Sequence, residues 1–162
     1  MNAQRGAVLM VGLVFLLLLT LLATSSMQNA TLQERMAGSQ ARRDASFQAA
    51  EAALHAGEAR VSSPGFSQER CTGLATCLPP PEALTLSTEG TGGASGVIWR
   101  ATPSGFVGIQ YLGESTGAIE DGDAQQPPKL YRVTAIGLQG TARTVLESVH
   151  TDEKRILWRQ RL

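Results

Sequence analysis

Residues 4–23 read QRGAVLMVGLVFLLLLTLLA, and the rest of the architecture follows from what this stretch can do. A single arginine, Arg5, precedes a glycine and an apolar run, and no charged residue occurs between Ala7 and Gln33. About 20 consecutive apolar residues are enough for a helix to cross the hydrocarbon core of a bilayer. The stretch is therefore a membrane-targeting element at the start of the sequence.

Three interpretations of this element remain open from the residues alone. In a secretory signal peptide, cleavage falls after the apolar run, where Ala23-Thr24-Ser25 offers the small residues of such a site. In a signal anchor nothing is removed. In the third interpretation cleavage falls before the run, between Gly6 and Ala7, and the apolar segment becomes the N-terminus of the mature protein.

The segment after the apolar run predicts that the helix continues. Residues 31–61 are rich in Ala, Glu, Gln and Arg and contain no proline. A narrow apolar stripe with helical period is formed by Phe47, Leu54 and Val61. A Pro-Gly pair at residues 64–65 then ends the helix. We predict one helix over residues 7–61, about 80 Å long at 1.5 Å per residue.

The charged residues divide the chain into two parts of different character. All acidic residues, and every basic residue except Arg5, lie in residues 34–162. About 130 residues suffice for one core of ordinary size, so this part is predicted to be a soluble head. The formal net charge of the chain is +0, which gives no reason to expect nucleic acid or an acidic partner.

Strands are predicted in the C-terminal half. Four segments show β-branched and aromatic residues between turn signals, at residues 96–101, 106–112, 130–136 and 142–150. The last two are joined near residues 137–140, as in a hairpin, and residues 66–96 are predicted to be surface loops. An antiparallel sheet needs a cover for its apolar face, and the Phe47/Leu54/Val61 stripe is the only long apolar helix face. We therefore predict an α+β fold: a long N-terminal helix with a membrane-embedded first half, packed by its second half on a small antiparallel sheet.

The two cysteines, Cys71 and Cys77, are predicted to form a disulfide. Two thiols cannot complete a tetrahedral zinc site, and the histidines, His55 and His150, lie in segments of different character. A catalytic redox pair usually has two intervening residues, whereas five separate these cysteines. The closed loop is short, so the bond contributes about 2 kcal/mol. It indicates an oxidising compartment.

Other candidate sites are weaker. Asp121 and Asp123 flank a glycine in an acidic loop and form a weak calcium candidate, because the loop lacks the ligand series and closing glutamate of an EF-hand. Glu147, Ser148 and His150 share one predicted strand and alternate in direction, so they cannot form a nucleophilic triad by themselves.

The C-terminal tail, residues 154–162, interleaves basic and apolar residues. We predict a last strand with protective charges in preference to a contact with nucleic acid or with a partner. The sequence contains no phosphate-binding glycine loop and no metal-ligand cluster. Neither a cofactor, nor a resident metal, nor an enzymatic activity is expected.

Together these segments resemble the type IV pilin superfamily and, within it, the PilX family of minor pilins. The resemblance rests on Gln4-Arg5-Gly6 before the apolar run and on residues 31–38, 47–54 and 130–135. Within the two specific blocks, the family motif falls on Glu34, Arg35, Met36, Gly38, Phe47, Glu51 and Leu54. The likeness is close over the first 60 residues and loose at the last segment.

The resemblance implies a domain organisation and a maturation step. Residues 1–6 would be a prepilin leader, residues 7–33 the transmembrane and fibre-core half of the helix, residues 34–61 its periplasmic half, and residues 62–162 the β-rich head. A prepilin peptidase would cut between Gly6 and Ala7 and methylate the amine of Ala7. The subunit would lie in the inner membrane with its head in the periplasm, although basic residues alone do not fix this topology.

The resemblance also implies a function. A PilX-like minor pilin helps to initiate type IV pilus assembly in a tip complex with other minor pilins, the major pilin and a PilY-type adhesin. Twitching motility, attachment and DNA uptake depend on such fibres. The alternative is a membrane-anchored or secreted periplasmic binding domain or enzyme that uses residues 1–25 only as a signal or anchor.

One position departs from the pilin pattern. Major pilins carry a glutamate at the fifth residue after the cut, where this sequence has Val11. A carboxylate inside a bilayer costs about 3 kcal/mol on insertion scales, so it is retained only where it has a partner. In the family that partner is thought to be the N-terminal amine of the neighbouring subunit. Val11 cannot make this pair, which suggests a subunit that starts a fibre rather than extends its shaft.

Overall fold

A computed structural model describes residues 3–91, 93–103, 105–115, 127–151 and 153–161, with the backbone alone at residues 3–6. The chain divides into two compact units, Met1–Ala41 and Arg42–Leu162. The predicted α+β class is confirmed, because a long N-terminal helix and a six-stranded antiparallel sheet make up the described structure.

The first unit is helical throughout its described part. Helix α1 spans Ala3–Val61, so it begins four residues before the predicted start at Ala7 and ends at the predicted residue. The residues before the apolar run include no proline that would prevent the earlier start. Along the apolar run every side chain from Val8 to Leu22 is exposed within this chain.

The end of α1 follows from its last residues. Ser62 N–H still donates to the Glu58 carbonyl at 3.0 Å, but Pro64 cannot continue the ladder. Gly65 then adopts φ 79°, a left-handed conformation that favours glycine. The chain leaves the helix at the Pro-Gly pair, as the sequence predicted.

The second unit contains the sheet. Two short helical segments come first, α2 at Gly73–Cys77 and a 3₁₀ helix at Pro81–Leu84. The strands are β1 at Gly90–Thr91, β2 at Ile98–Thr102, β3 at Gly105–Glu114, β4 at Lys129–Gln139, β5 at Ala142–His150 and β6 at Arg155–Arg161. They lie side by side in chain order, and every neighbouring pair is antiparallel.

The C-terminal part of α1 covers one face of the sheet, here called the helix face. Ala50, Ala53, Leu54 and Val61 pack there against apolar side chains of β3, β4 and β5: Val107, Ile109, Tyr131, Val133, Ala135 and Leu146. Phe47, the first residue of the predicted stripe, packs at the margin of this cluster. The predicted packing of the stripe on the sheet is confirmed.

Two glycines let the helix approach the sheet closely. A Cβ atom on Gly57 would lie 2.5 Å from Val133 Cγ1, and a Cβ atom on Gly137 would lie 2.0 Å from the Ser46 carbonyl oxygen. Gly137 was predicted to be part of a hairpin turn, and that prediction is wrong. It lies within β4, and the turn falls at Gly140, which has φ 59°.

The opposite face of the sheet, here called the loop face, is covered by the segment that includes α2 and the 3₁₀ helix. Ala83 of this segment packs in a second cluster with Val97, Trp99, Ile136 and Val145. Trp99 is 1% exposed, so this face is a true core. The prediction of residues 66–96 as surface loops is therefore wrong in part, because the sheet is buried on both faces.

The predicted number of strands also needs correction. The four predicted strands correspond to β2, β3, β4 and β5, and the predicted strand in the tail is β6. The two-residue β1 was missed, since a glycine and a threonine carry no strand pattern.

Candidate functional site

The apolar part of α1 is the first candidate site, because no other described part of the chain covers its surface. The residues from Ala7 to Val61 include one window that is long and apolar enough to cross a membrane, and none of that window is buried. Val11 is 57% exposed. A large exposed apolar surface marks a site of contact with a membrane or with another protein.

Most of the motif residues fall into two groups. Glu34, Arg35 and Met36 are exposed on the first unit, whereas Phe47 and Leu54 contribute to the helix-face core of the second; Gly38 and Glu51 are half-buried and belong to neither group. Phe47 also meets Trp158 of β6 edge to face, with ring centroids 6.3 Å apart. The structure therefore gives the second group a role in packing and leaves the first group free for contacts outside the chain.

Cys71 and Cys77 form a disulfide, the pairing that the sequence favoured, with Cα atoms 5.2 Å apart. The bond closes α2, and Thr76 Oγ1 adds a hydrogen bond to the Thr72 carbonyl at 2.6 Å. Gln110 of β3 donates to the Thr76 carbonyl at 2.5 Å, so the cysteine loop is attached to the loop face. Hydrogen bonds, rather than apolar contacts, attach this loop to the sheet.

Arginines hold the rest of this covering segment. Arg132 donates to the Cys77 carbonyl at 2.6 Å, Arg143 to the Leu86 carbonyl at 2.7 Å, and Arg161 to the Pro80 carbonyl at 2.8 Å. Burial lowers the pKa of Arg143 and of Arg132, and Glu147 opposes this at Arg132. Sequence reasoning missed these contacts, because a carbonyl oxygen has no sequence signature.

Glu147 is the charged centre of the loop face. It is 2% exposed and accepts hydrogen bonds from Arg159, at 2.7 Å from Nη2, while Arg132 Nε lies 3.3 Å from the same carboxylate oxygen. A buried carboxylate is tolerable only with such compensation. The sequence pattern of β5 gives one hint of this buried charge, because a glutamate among the apolar residues of a strand is unusual.

Glu58 connects α1 to β6 on the helix face. Arg155 donates to both of its carboxylate oxygens, at 2.7 Å and 2.5 Å. Burial disfavours the charged carboxylate, but the hydrogen bonds and the positive charge of Arg155 outweigh this and lower the pKa of Glu58 from 4.5. This contact between distant parts of the chain was also missed by sequence reasoning.

The comparisons with known proteins concern the helix. Residues 5–55 match the family described as PilX N-terminal. The chain is PilX-like in its N-terminal third. No curated protein and no solved structure matches it.

The PilX-like segment ends within the part of α1 that packs on the sheet, so the match includes both motif groups and stops before the head. It supports a role as a type IV pilus minor pilin, and the exposed apolar helix is consistent with a membrane-anchored subunit. Pilins of this family are generally not catalysts.

The remaining predicted residues form no active site in the described structure. Ser148 and His150 lie on the helix face and Glu147 on the loop face, and Ser148 is fully buried. The His150 Nδ1 atom forms a hydrogen bond with the Thr151 carbonyl rather than with a carboxylate. Asp121 and Asp123 lie outside the described residues, and no group of three metal ligands occurs among the residues that are described.

Proposed function

We propose that this protein is a minor pilin that helps to initiate type IV pilus assembly and does no catalysis. The observation that carries the proposal is the continuity of α1: an exposed apolar run, a match to PilX over residues 5–55, and a covered end on the sheet all belong to one helix. A helix of this kind can exchange lipid for the helices of neighbouring subunits.

In the proposed maturation, prepilin peptidase cuts after Gly6 and methylates Ala7. The mature apolar segment, residues 7–33, anchors the subunit in the inner membrane, with residues 34–61 and the head in the periplasm. The disulfide between Cys71 and Cys77 supports an oxidising compartment for the head.

In the proposed assembly, the subunit joins other minor pilins and the major pilin in a complex that supports a PilY-type adhesin at the pilus tip. Val11 carries this part of the proposal, because a valine cannot form the ion pair with the N-terminal amine of a preceding subunit. A subunit without that pair is suited to begin a fibre. Twitching motility would then depend on it.

The mature N-terminus tests the maturation step. Mass spectrometry of the membrane-extracted protein should find a chain that begins at methylated Ala7. A chain that begins near Ser26 would indicate secretion, and one that retains Met1 would indicate a plain anchor. Either result would favour the alternative of an anchored or secreted periplasmic domain and would overturn the pilin proposal.

A pair of variants tests the assembly step. Val11→Glu should change the number of pili per cell and the recovery of other minor pilins with this subunit, because it installs the acid of the shaft subunits. Val14→Glu introduces the same charge one turn deeper and serves as the matched control. If Val11→Glu leaves pilus number and minor-pilin association unchanged, the initiating role is wrong.

A further inference from the structure

Strand β6 is a long open edge of the sheet. It has seven residues, Arg155–Arg161, and its outer side pairs with no other described strand, whereas β1 at the opposite edge has two residues. An edge strand presents unpaired backbone N–H and C=O groups to any other strand, and natural proteins usually shorten such edges or interrupt them. β6 contains neither proline nor glycine.

Charged side chains often protect an edge, but all three arginines in β6 are turned back onto its own sheet, and Arg161 donates there to the Pro80 carbonyl. Arg155 is held by Glu58 and Arg159 by Glu147. These two ion pairs fix the strand from both of its faces. They order β6 without covering its outer backbone groups.

The middle of β6 is apolar and accessible. Ile156 is 40% exposed, Leu157 49% and Trp158 39%. Trp158 is steadied by its edge-to-face contact with Phe47, so the apolar surface extends from the strand onto α1. An ordered edge with three exposed apolar residues is suited to receive another strand.

We propose that β6 accepts an extended segment of a different protein chain, which adds to the sheet as a further strand and carries both acidic and apolar side chains. The interaction surface is the outer edge of β6 together with Ile156, Leu157 and Trp158. It goes beyond the minor pilin role, because it assigns the surface and the chemistry of the partner.

Charge decides against a second copy of this chain. An antiparallel pairing of two β6 strands centred on Trp158 would place Arg155 opposite Arg161 twice, and like charges directly opposite destabilise a sheet. Glu58 compensates Arg155 within its own chain, but β6 has no acidic residue that would face Arg161 of a second copy.

The same charges favour an acidic partner. Among the described residues, no carboxylate lies within ion-pair distance of Lys154 or Arg161, which stand at the two ends of the edge. An incoming strand with acidic side chains would therefore meet two positive charges that form no ion pair among the described residues, although Arg161 already donates a hydrogen bond to the Pro80 carbonyl.

Two capped octapeptides test the proposal on the full-length protein in non-ionic detergent. One alternates Glu and Val, and the matched control alternates Lys and Val. The Glu-Val peptide should bind with at least ten-fold lower Kd, slow amide hydrogen exchange at residues 155–161, and reduce acrylamide quenching of tryptophan fluorescence. The quenching reports Trp158, because Trp99 is buried.

Charge-reversal variants locate the binding. Lys154→Glu should weaken the Glu-Val peptide at least three-fold, whereas Arg100→Glu on the exposed surface of β2 should leave its Kd unchanged. Equal binding of both peptides, protection at β2 in place of β6, or no protection at all would overturn the proposal. Concentration-dependent self-association that protects β6 without peptide would overturn it in favour of a second copy. None of these readouts depends on cleavage at Gly6 or on pilus formation.

Discussion

The two faces of the sheet are covered by different means. On the helix face, small and aliphatic residues of α1 pack so closely that Gly137 touches the helix backbone. On the loop face, an irregular segment is held by guanidinium groups that donate to its carbonyl oxygens. The helix satisfies its own backbone groups, but an irregular segment must find partners for them in the sheet.

This difference predicts different sensitivities. The helix face should respond most strongly to added volume, because its atoms are in van der Waals contact and backbone cannot move aside. The loop face should respond most strongly to lost charge or lost donors, because each removal leaves a buried polar group without its partner.

Gly137→Ala should have the largest effect. The added Cβ atom would lie 2.0 Å from the Ser46 carbonyl oxygen and 2.4 Å from the Ala50 nitrogen, both backbone atoms of α1. We expect a loss of more than about 4 kcal/mol in the free energy of unfolding, measured by urea denaturation with tryptophan fluorescence. Gly12→Ala, with nothing within 4 Å, is the control and should leave the head unchanged. A loss below about 1 kcal/mol would contradict close packing.

Glu147→Gln tests the loop face by removing one charge with little change in volume. Arg132, whose side chain is 13% exposed, and the more exposed Arg159 would then lose the carboxylate that they share. We expect a loss of about 3 kcal/mol in the same denaturation experiment. Glu114→Gln on the exposed part of β3 is the control, expected within about 0.5 kcal/mol of the parent. Equal effects of the two variants would show that the buried charge is not needed for stability.

Arg143→Met should have a smaller and more local effect. It removes the donors to the Ala83 and Leu86 carbonyls, at 3.2 Å and 2.7 Å, and keeps much of the apolar stem. We expect a loss of about 2 kcal/mol and faster amide hydrogen exchange in residues 80–86 than in α1. Arg100→Met, at an exposed position, should change neither. If amide hydrogen exchange became faster across the whole head, the covering segment would not be stabilised independently of the rest of the head.

The same difference explains what the sequence could predict. The helix and its packing face were predictable because Phe47, Leu54 and Val61 repeat with a period that any buried helix must show. The loop-face cover has no period, and its prolines and glycines indicate loops whether or not the loops cover a core. Trp99 and Val97 were assigned to a strand, but nothing in their pattern showed what would bury them.

The candidate site was predictable to a similar degree. The apolar run and the motif at Glu34 are local signals, and the disulfide followed from a count of two cysteines. The link from Glu147 to Arg159 joins residues that the register of β5 and β6 places opposite each other, and the link from Glu58 to Arg155 joins α1 to β6. Such pairs depend on tertiary structure, and a single sequence does not specify them.

On the helix face, the ion pair between Glu58 and Arg155 should make the free energy of unfolding depend on pH. This is the smallest of the four effects predicted here. Burial raises the pKa of Glu58, but the hydrogen bonds and the positive charge of Arg155 outweigh this and lower the pKa below 4.5. A carboxylate with a lowered pKa stabilises the fold above the pKa of the unfolded chain, and this stabilisation is lost as pH falls through the folded-state pKa. The difference in unfolding free energy between the parent and Glu58→Gln should therefore be constant from neutral pH to pH 4.5 and shrink below it. Glu69→Gln, at an exposed position, controls for the loss of one acid. A difference that grows on acidification would mean that the Glu58 carboxylate is protonated in the native state and that α1 is joined to β6 by packing alone.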